Sequence, residues 1–478
     1  LHLCDRRQRQ MCIRDSISVG LFPFSKILNV SISHHPNSFG RCEIVGEMDP
    51  TVAEEVSNRI DETSQTEVVT SAKGQPERLF CGIVGEFLVS YQNEYASVRV
   101  VLLDTCACLD RVTHQRSYQN TSLTYGDLIK KCMEGEGTAA ISVTDKKTGT
   151  LVVQYDETNW QFSVRMASQL GAPVITDISA EKPNLYVGLP PSDQTKDLTT
   201  STYQIGKATQ LVSSAGANSQ SMVSEYGSSG GVTSYQYLFI GNFVKLGDKF
   251  YAVKSVDSSM VDGILEMNYG LLPIGNEVPA DGDVPALGSI AQAPISNGNC
   301  CGKMLSGTVQ NVAGNKVQVQ FSFDSEFSGD HWFEYSTAYS SSDQNGWYCM
   351  PEKGDVVRVF FPSGSEGEAF AASSASKFAS EDPKDKCWIA HGKQIVLTEK
   401  GIHISCENNS IMIDLSVDDG IVIESEKSIS INAVEELTVH ANSVHISADN
   451  QISLGTDRAF IDISEGKITL LGNEVAIE

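Results

Sequence analysis

From Ile395 onward the chain repeats short apolar-x-apolar triplets: Ile395-Val-Leu397, Ile402-His-Ile404, Ile411-Met-Ile413, Ile421-Val-Ile423, Ile429-Ser-Ile431, Leu437-Thr-Val439, Val444-His-Ile446, Ile452-Ser-Leu454, Ile461-Asp-Ile463, Ile468-Thr-Leu470 and Val475-Ala-Ile477. Successive triplets begin 7, 9, 10, 8, 8, 7, 8, 9, 7 and 7 residues apart, eight on average. Within a triplet, the period of two puts both apolar side chains on one face of a strand. Turn formers separate the triplets, as in Glu407-Asn-Asn-Ser410, Asp418-Asp-Gly420, Ala448-Asp-Asn450 and Glu465-Gly466. A repeat this regular predicts stacked strands. Eight extended residues span only about 26 Å, one side of a narrow prism. One copy alone leaves an open sheet with a bare apolar face and exposed edges. Three identical copies wound about one axis cover both. The prediction is therefore an intertwined trimeric β-helix over residues 391–478, a needle whose core is Ile402, Ile404, Ile411, Ile413, Ile421, Ile423, Ile429, Ile431, Val444, Ile446, Ile461 and Ile463. A hairpin sheet or β-sandwich is the competing reading, but sandwich strands run longer and less evenly.

Before this repeat, residues 298–375 alternate as a small five-stranded β-barrel. Gly307-Thr-Val-Gln310, Lys316-Val-Gln-Val-Gln-Phe321 and His331-Trp-Phe-Glu-Tyr335 read as strands. A turn at Pro351–Gly354 leads into the β run that ends at Phe361. Short strands at this density fit an OB-like barrel. Its aromatics Trp332, Phe333, Tyr335, Trp347, Tyr348 and Phe360 are expected in core packing or in contacts between copies, because the segment has little basic charge for tracking a nucleic-acid backbone. About fifteen residues, 376–390, remain as a linker between barrel and needle.

Residues 17–290 are mostly β, with two helical stretches. The first, Thr121–Met133, places a Thr cap before apolar residues at helical spacing. The second, Thr158–Gly171, carries Trp160, Phe162, Met166 and Leu170 and stops at a glycine. A Gly/Ser/Thr-rich stretch from Val212 to Gly231 predicts a loop or bulging hairpin.

Composition narrows the function. The chain has 478 residues, 60 Asp and Glu against 35 Lys and Arg, and a formal charge of −25. That balance excludes nucleic acid as the expected partner. The outer face of the 393–478 region is acidic, which keeps a rod soluble and its sheet edges from pairing. No apolar run is long enough for a transmembrane helix. The twelve cysteines are irregularly spaced, with no CxxC, so neither a zinc site nor a disulfide framework is predicted and a reduced, cytosolic place of assembly is the simpler reading. The first sixteen residues, LHLCDRRQRQMCIRDS, resemble translated sequencing adapter and are left out of the fold. Tyr155, Asp156, Glu157 and Arg165 offer an acid pair with a clamp. No second acidic cluster is placed to cooperate with them, so a buried Arg–Glu pair or a helix cap is expected. His34-His35 lacks partners at ligand spacing and is expected in a surface loop. His403, His440 and His445 are isolated, so no metal, cofactor or catalytic site is predicted.

Several pieces, in order, resemble the VgrG and phage baseplate central spike family of contractile injection systems. In the barrel they are Gly307–Val309, Val317–Phe321, Trp332 and Pro351–Phe361, followed by Cys387–Leu397 at the passage into the needle. In the first half, Gln154, Tyr155, Glu157, Thr158, Phe162, Arg165 and Gly171 match a hub-domain signature. Phe80–Val84 and the Gly-Asp motif within Phe243–Tyr251 add two further hub features. The resemblance runs from about residue 27 to the C-terminus and is weak between about 180 and 235. It implies a hub of β-barrels with short helices, an OB-fold barrel and a needle, working as a non-enzymatic structural homotrimer. Implied partners are the tube protein, other baseplate proteins and a separate PAAR-like tip protein or effector, with the target envelope touched only on firing. The chain ends at Glu478 close to a triplet, which leaves the tip to a capping protein or to a truncated end. Assembly in the cytoplasm, within a phage tail-like particle or secretion apparatus delivered outside or into a target cell, completes the expectation. A tail-associated polysaccharide- or peptidoglycan-degrading enzyme on a β-helix is the alternative. It is disfavoured because Phe460 is the only aromatic from residue 391 onward.

Overall fold

The computed structural model describes residues 17–72, 75–92, 94–192, 195–198, 230–234, 236–275, 277, 287–327, 329–343, 345–374, 382–464 and 466–474. The adapter-like first sixteen residues, most of the Val212–Gly231 stretch and the last triplet lie outside the described residues. The chain divides into two compact units, with the boundary between Ala375 and Ser376.

Unit 1 is dominated by an eleven-stranded sheet, almost wholly antiparallel. In its central strands, Lys26–His34, Arg41–Met48 and Ala96–Asp104, burial alternates from Val30 to His34 and along all of Arg41–Met48, and in Ala96–Asp104 the alternation is broken only at Val101, which is buried too. Val30, Ile32, Cys42, Ile44, Val98, Val100 and Leu102 therefore share one core. Three α-helices are present among the described residues, one more than the sequence reading predicts. Helix α1, Pro50–Arg59, starts at Asp49, whose side chain accepts from the Thr51 and Val52 amides, and buries Ala53 and Val56. The Asp-Pro pair at its start was the available signal, since proline suits the first helical position. Helix α2, Tyr125–Cys132, and helix α3, Asn159–Gln169, each begin with a reciprocal capping box, Thr124 with Asp127 and Thr158 with Gln161. Beyond α3 the chain turns at Gly171, at a φ of 70° that favours glycine. These two helices pack over a second core containing Leu128, Ile129, Phe162 and Met166.

The third core is the barrel. Its strands are Met304–Ala313, Lys316–Phe321, Phe333–Glu334, Val356–Phe360 and Phe370–Ser374, in sheet order 3-2-1-4-5, closed by a parallel bridge from Tyr335 to Ala371. This is OB topology. Leu151 and Val153, from the strand Val152–Thr158 and its approach, lie fully buried in the barrel core, whereas Val152 lies in the α2/α3 core. One strand thus serves two cores, which explains why its sequence lacks polar–apolar alternation. Its partner, Thr113–Tyr118, leads into Gln119, whose carbonyl accepts from the amides of Asp330 and His331 in the barrel. Ser117 donates its amide to Asp324 at 2.9 Å.

Unit 2 holds two antiparallel sheets in which consecutive strands pair. The first runs Lys386–Ala390, Lys393–Leu397, Gly401–Cys406, Ile411–Ser416 and Gly420–Ser425; the second runs Gln451–Gly455, Phe460–Ser464 and Lys467–Leu471. Lys386–Ala390 corrects the expected linker: it is a strand, joined to the next by a two-residue turn at His391-Gly392. Both turn residues have positive φ, 49° and 72°. That geometry matches the twist of a hairpin. Seven of the eleven triplets sit in strands and the last lies outside the described residues. The other three, Ile429–Ile431, Leu437–Val439 and Val444–Ile446, are in no strand within the single chain, as is all of 426–450.

Candidate functional site

Register builds an apolar ladder across the first sheet of unit 2. Trp388 faces Ile395, which faces Ile404, then Ile413, then Ile423. A parallel row joins Leu397, Ile402, Leu415 and Ile421. Because side chains alternate, both rows lie on the same face. Ile411 lies on this face too, opposite Cys406. In the second sheet Ile461 pairs with Leu454 and Leu470, and Ile463 pairs with Ile452 and Ile468.

These side chains are not buried within one chain. The twelve residues assigned to the needle core range from 36% exposed at Ile404 to 71% at Ile421. Ile429, Ile431, Val444 and Ile446 lie outside any strand and are exposed as well. The other face of the first sheet is better enclosed, although it is more polar. Ser405 there is 3% exposed and accepts from the Gln394 amide at 3.0 Å. His403 Nε2 lies 3.2 Å from Asn409 Oδ1, and Asp414 stands opposite His403. A sheet in water normally hides its aliphatic face; here the aliphatic face is the open one.

The residues considered for chemistry fall elsewhere. Arg165, 4% exposed at its side chain, binds Glu157 through two nitrogens: Nε to Oε1 at 2.8 Å and Nη2 to Oε2 at 2.7 Å. Burial acts to push its guanidinium pKa down, but the hydrogen bonds and charges of Glu157 and Glu366 outweigh it and hold the pKa above its ordinary value. Asp156 stands apart from this pair at a β-bulge, with φ of 49°, and accepts from Gln115 at 2.7 Å. Sequence reasoning missed Glu366, because it lies 201 residues from Arg165 and its one signal is an acidic residue in a Gly-rich turn.

His34 corrects the surface-loop expectation. It is 2% exposed, at the inward position that strand alternation gives it. Its Nε2 lies 3.2 Å from Thr176 Oγ1, which donates to Asp104 at 2.6 Å, so Nε2 carries the hydrogen and Nδ1 has no protein partner. Burial, with a smaller contribution from His35, lowers the His34 pKa to about 3. Burial also raises Asp104 to about 6, against the hydrogen bonds from Thr176, Gly40 and Cys106. His35 is exposed and meets Asp257 at 2.9 Å. Among the barrel aromatics Phe333 is fully buried, but Trp347 and Tyr348 are 55% and 74% exposed and do not belong to the barrel core. No group of three or more His, Cys, Asp or Glu among the described residues is arranged to hold a metal ion.

Residues 55–188 match the phage tail baseplate hub (GPD) family. No curated protein matches the chain. Among solved structures, the chain is similar to a half-lidded PdpA–VgrG complex from Francisella, at 8% identity and a TM-score of 0.51, covering 83% of this chain and 83% of that one. It is also similar to c3393 of E. coli, described as a component of the type VI secretion system with structural similarity to the T4 bacteriophage tail proteins gp27 and gp5. That match has 15% identity, a TM-score of 0.48, and covers 75% of this chain and 99% of that one. A third is the 43 kDa tail protein of prophage MuSo2 from Shewanella oneidensis, at 13% identity and a TM-score of 0.38, covering 54% and 97%. At these identities the structural likeness speaks for the fold, and only the Francisella match is strong enough to do so. The hub match takes in the end of α1 and all of α2 and α3, including the Glu157–Arg165 signature, so residues 55–188 are similar to a phage tail baseplate hub domain.

Proposed function

We propose that this chain is the central hub-and-spike subunit of a contractile injection apparatus, acting as a homotrimer and by mechanical means rather than catalysis. The hub trimer seats on the end of the tube as an adaptor, the barrel holds the needle on axis, and contraction drives the needle through a target envelope. Other baseplate proteins surround it, and a separate tip protein or effector caps it. The subunit assembles in the cytoplasm and leaves with the particle. One observation carries the trimer: the apolar ladder of unit 2 is open in a single chain, and its eight-residue period continues through 426–450, where the chain has no strand partner of its own. An aliphatic face that its own chain leaves open needs a cover, and another copy of the same chain supplies one. Three copies supply both partners and a closed apolar centre, with Ile402, Ile404, Ile411, Ile413, Ile421, Ile423, Ile429, Ile431, Val444, Ile446, Ile461 and Ile463 turned inward.

Light scattering coupled to size exclusion tests this on residues 17–478 beside a version ending at Ala375. The expected result is a mass of about three chains for the first, weakened or lost in the second. A stable monomer of residues 17–478 would overturn the reading.

A further inference from the structure

A hub and a barrel that carry axial load have to move as one body. Their shared strand gives a common core, but a strand between two cores still allows one to tilt about it. The joint contains a second, polar connection. Arg165 Nη1 reaches across from α3 to Glu366 Oε1 at 2.8 Å, in the 3-10 turn Glu366–Glu368 just before the last barrel strand. Its Nη2 also donates to the carbonyl of Val153 at 2.7 Å, on the shared strand. Asn297, 1% exposed, bridges the same two acceptors, donating to Val153 O at 2.8 Å and to Glu366 Oε1 at 2.9 Å. The Asn297 amide in turn donates to the carbonyl of Gly364 at 2.9 Å. A segment running out of the hub is thus stitched to α3 at one end, through Ser168 Oγ accepting from the Ile295 amide at 2.9 Å, and to the barrel at the other.

Arg165 already has a bidentate partner in Glu157, so Glu366 is not needed to neutralise it. The second carboxylate, with a side-chain exposure of only 13%, gives the cluster an extra negative charge in a poorly solvated place. Burying a charge is costly unless it is held by good geometry. What the arrangement adds is direction. A planar guanidinium bound on two sides and beneath fixes three elements relative to one another, as a single hydrogen bond does not.

We propose that the Arg165–Glu366–Asn297 cluster is the coupling that locks the barrel onto the hub, with Arg165 as the positioning residue. Its mechanical purpose rests on the hub–spike reading; the coupling itself does not. Hydrogen exchange on the full chain, comparing wild type with Glu366→Ala and Glu366→Gln, tests it. Glu366→Ala leaves the Arg165–Glu157 pair whole, so amides of α3 keep their protection. Exchange at the Ile295 and Asn297 amides rises roughly tenfold, the equivalent of about 1.4 kcal/mol. Glu366→Gln retains an acceptor for Arg165 and Asn297 and falls between wild type and alanine. Unchanged exchange at Ile295 and Asn297 in the alanine variant would overturn the coupling. Equal loss of protection in α3 and at these two amides would also overturn it, by making Glu366 a general support of the fold. If exchange rises as expected while particles carrying Glu366→Ala inject normally, the mechanical reading fails and the coupling stands.

Discussion

Unit 1 and unit 2 are built from the same strand chemistry and treat their apolar faces in opposite ways. In unit 1 Val30, Ile44, Val100 and Leu102 are fully buried by the chain's own elements. In unit 2 Ile404, Ile413 and Ile423 stand in an equally regular row and remain open. Strand length accounts for much of the difference. The strands Gln75–Tyr91 and Lys249–Val261 have 17 and 13 residues, with register shifts where β-bulges bend them. They can cross a core and fold back over it. Strands of five or six residues, as in unit 2, reach across one face and no further. Length alone does not decide it, because the equally short barrel strands Lys316–Phe321 and Val356–Phe360 bury Val317, Val319, Val357 and Val359 within one chain by closing into a barrel. Among the described residues the sheets of unit 2 lack that closure.

The largest effect expected to break this comparison comes from Ile413→Asp. Three copies would each bury an unpaired carboxylate, with a penalty of several kcal/mol per copy. The trimer mass in light scattering should vanish while the thermal transition of unit 1 is kept. A trimer that survives would mean the row is not the interface.

The shared strand gives the next. Leu151→Ala should cost about 2–5 kcal/mol in denaturant unfolding. The loss should be visible in the barrel, although Leu151 precedes the barrel by some 150 residues in the chain. An effect confined to the α2/α3 core would refute the assignment of Leu151.

A pH series separates the buried polar cluster from the rest of the unit 1 core. His34 has a folded pKa of about 3, below its ordinary value of 6.5. Between those values the unfolded chain binds a proton that the folded chain does not, so this residue contributes stability above pH 6.5 that is lost as pH falls toward 3. Asp104 has a folded pKa of about 6, raised from 3.8, and works in the opposite direction. Its contribution is fully present below pH 3.8 and is lost as pH rises through 6. The two therefore oppose each other between pH 3.8 and 6. Removing the imidazole with His34→Gln should lower the slope of stability against pH in that window by about 1.4 kcal/mol per unit. Parallel curves for variant and wild type would show that His34 titrates normally in the fold.

The smallest change should follow Lys400→Ala, which removes a 2.8 Å pair with Asp418 in unit 2. Both side chains are largely exposed, at 78% and 58%. The cost should stay below about 1 kcal/mol. A larger loss of trimer stability would place this pair inside a contact between copies.

Local pattern was sufficient for whatever depends on neighbours along the chain. The period of two in the triplets, the caps at Thr124 and Thr158 and the barrel strand at Lys316–Phe321 could all be read from adjacent residues, as could the hub signature around Arg165. The missed helix α1 was legible in the same way, from Asp49 and Pro50. The linker reading failed at Lys386–Ala390, where a tight turn at His391-Gly392 brings a fifth strand into the sheet.

What the tertiary structure alone decided depends on residues far apart in the chain. Nothing near Arg165 announces Glu366, and nothing near Val153 announces that its side chain enters a barrel whose own strands begin at Met304. His34 is buried because the inward face of its strand meets Thr176 from another part of the chain, and its neighbour His35 is exposed by the same alternation. The sequence by itself determined which positions are apolar and at what period, since that is a property of local spacing. Which of those positions are covered, and by what, is a property of long-range contacts, and only the folded chain decides it.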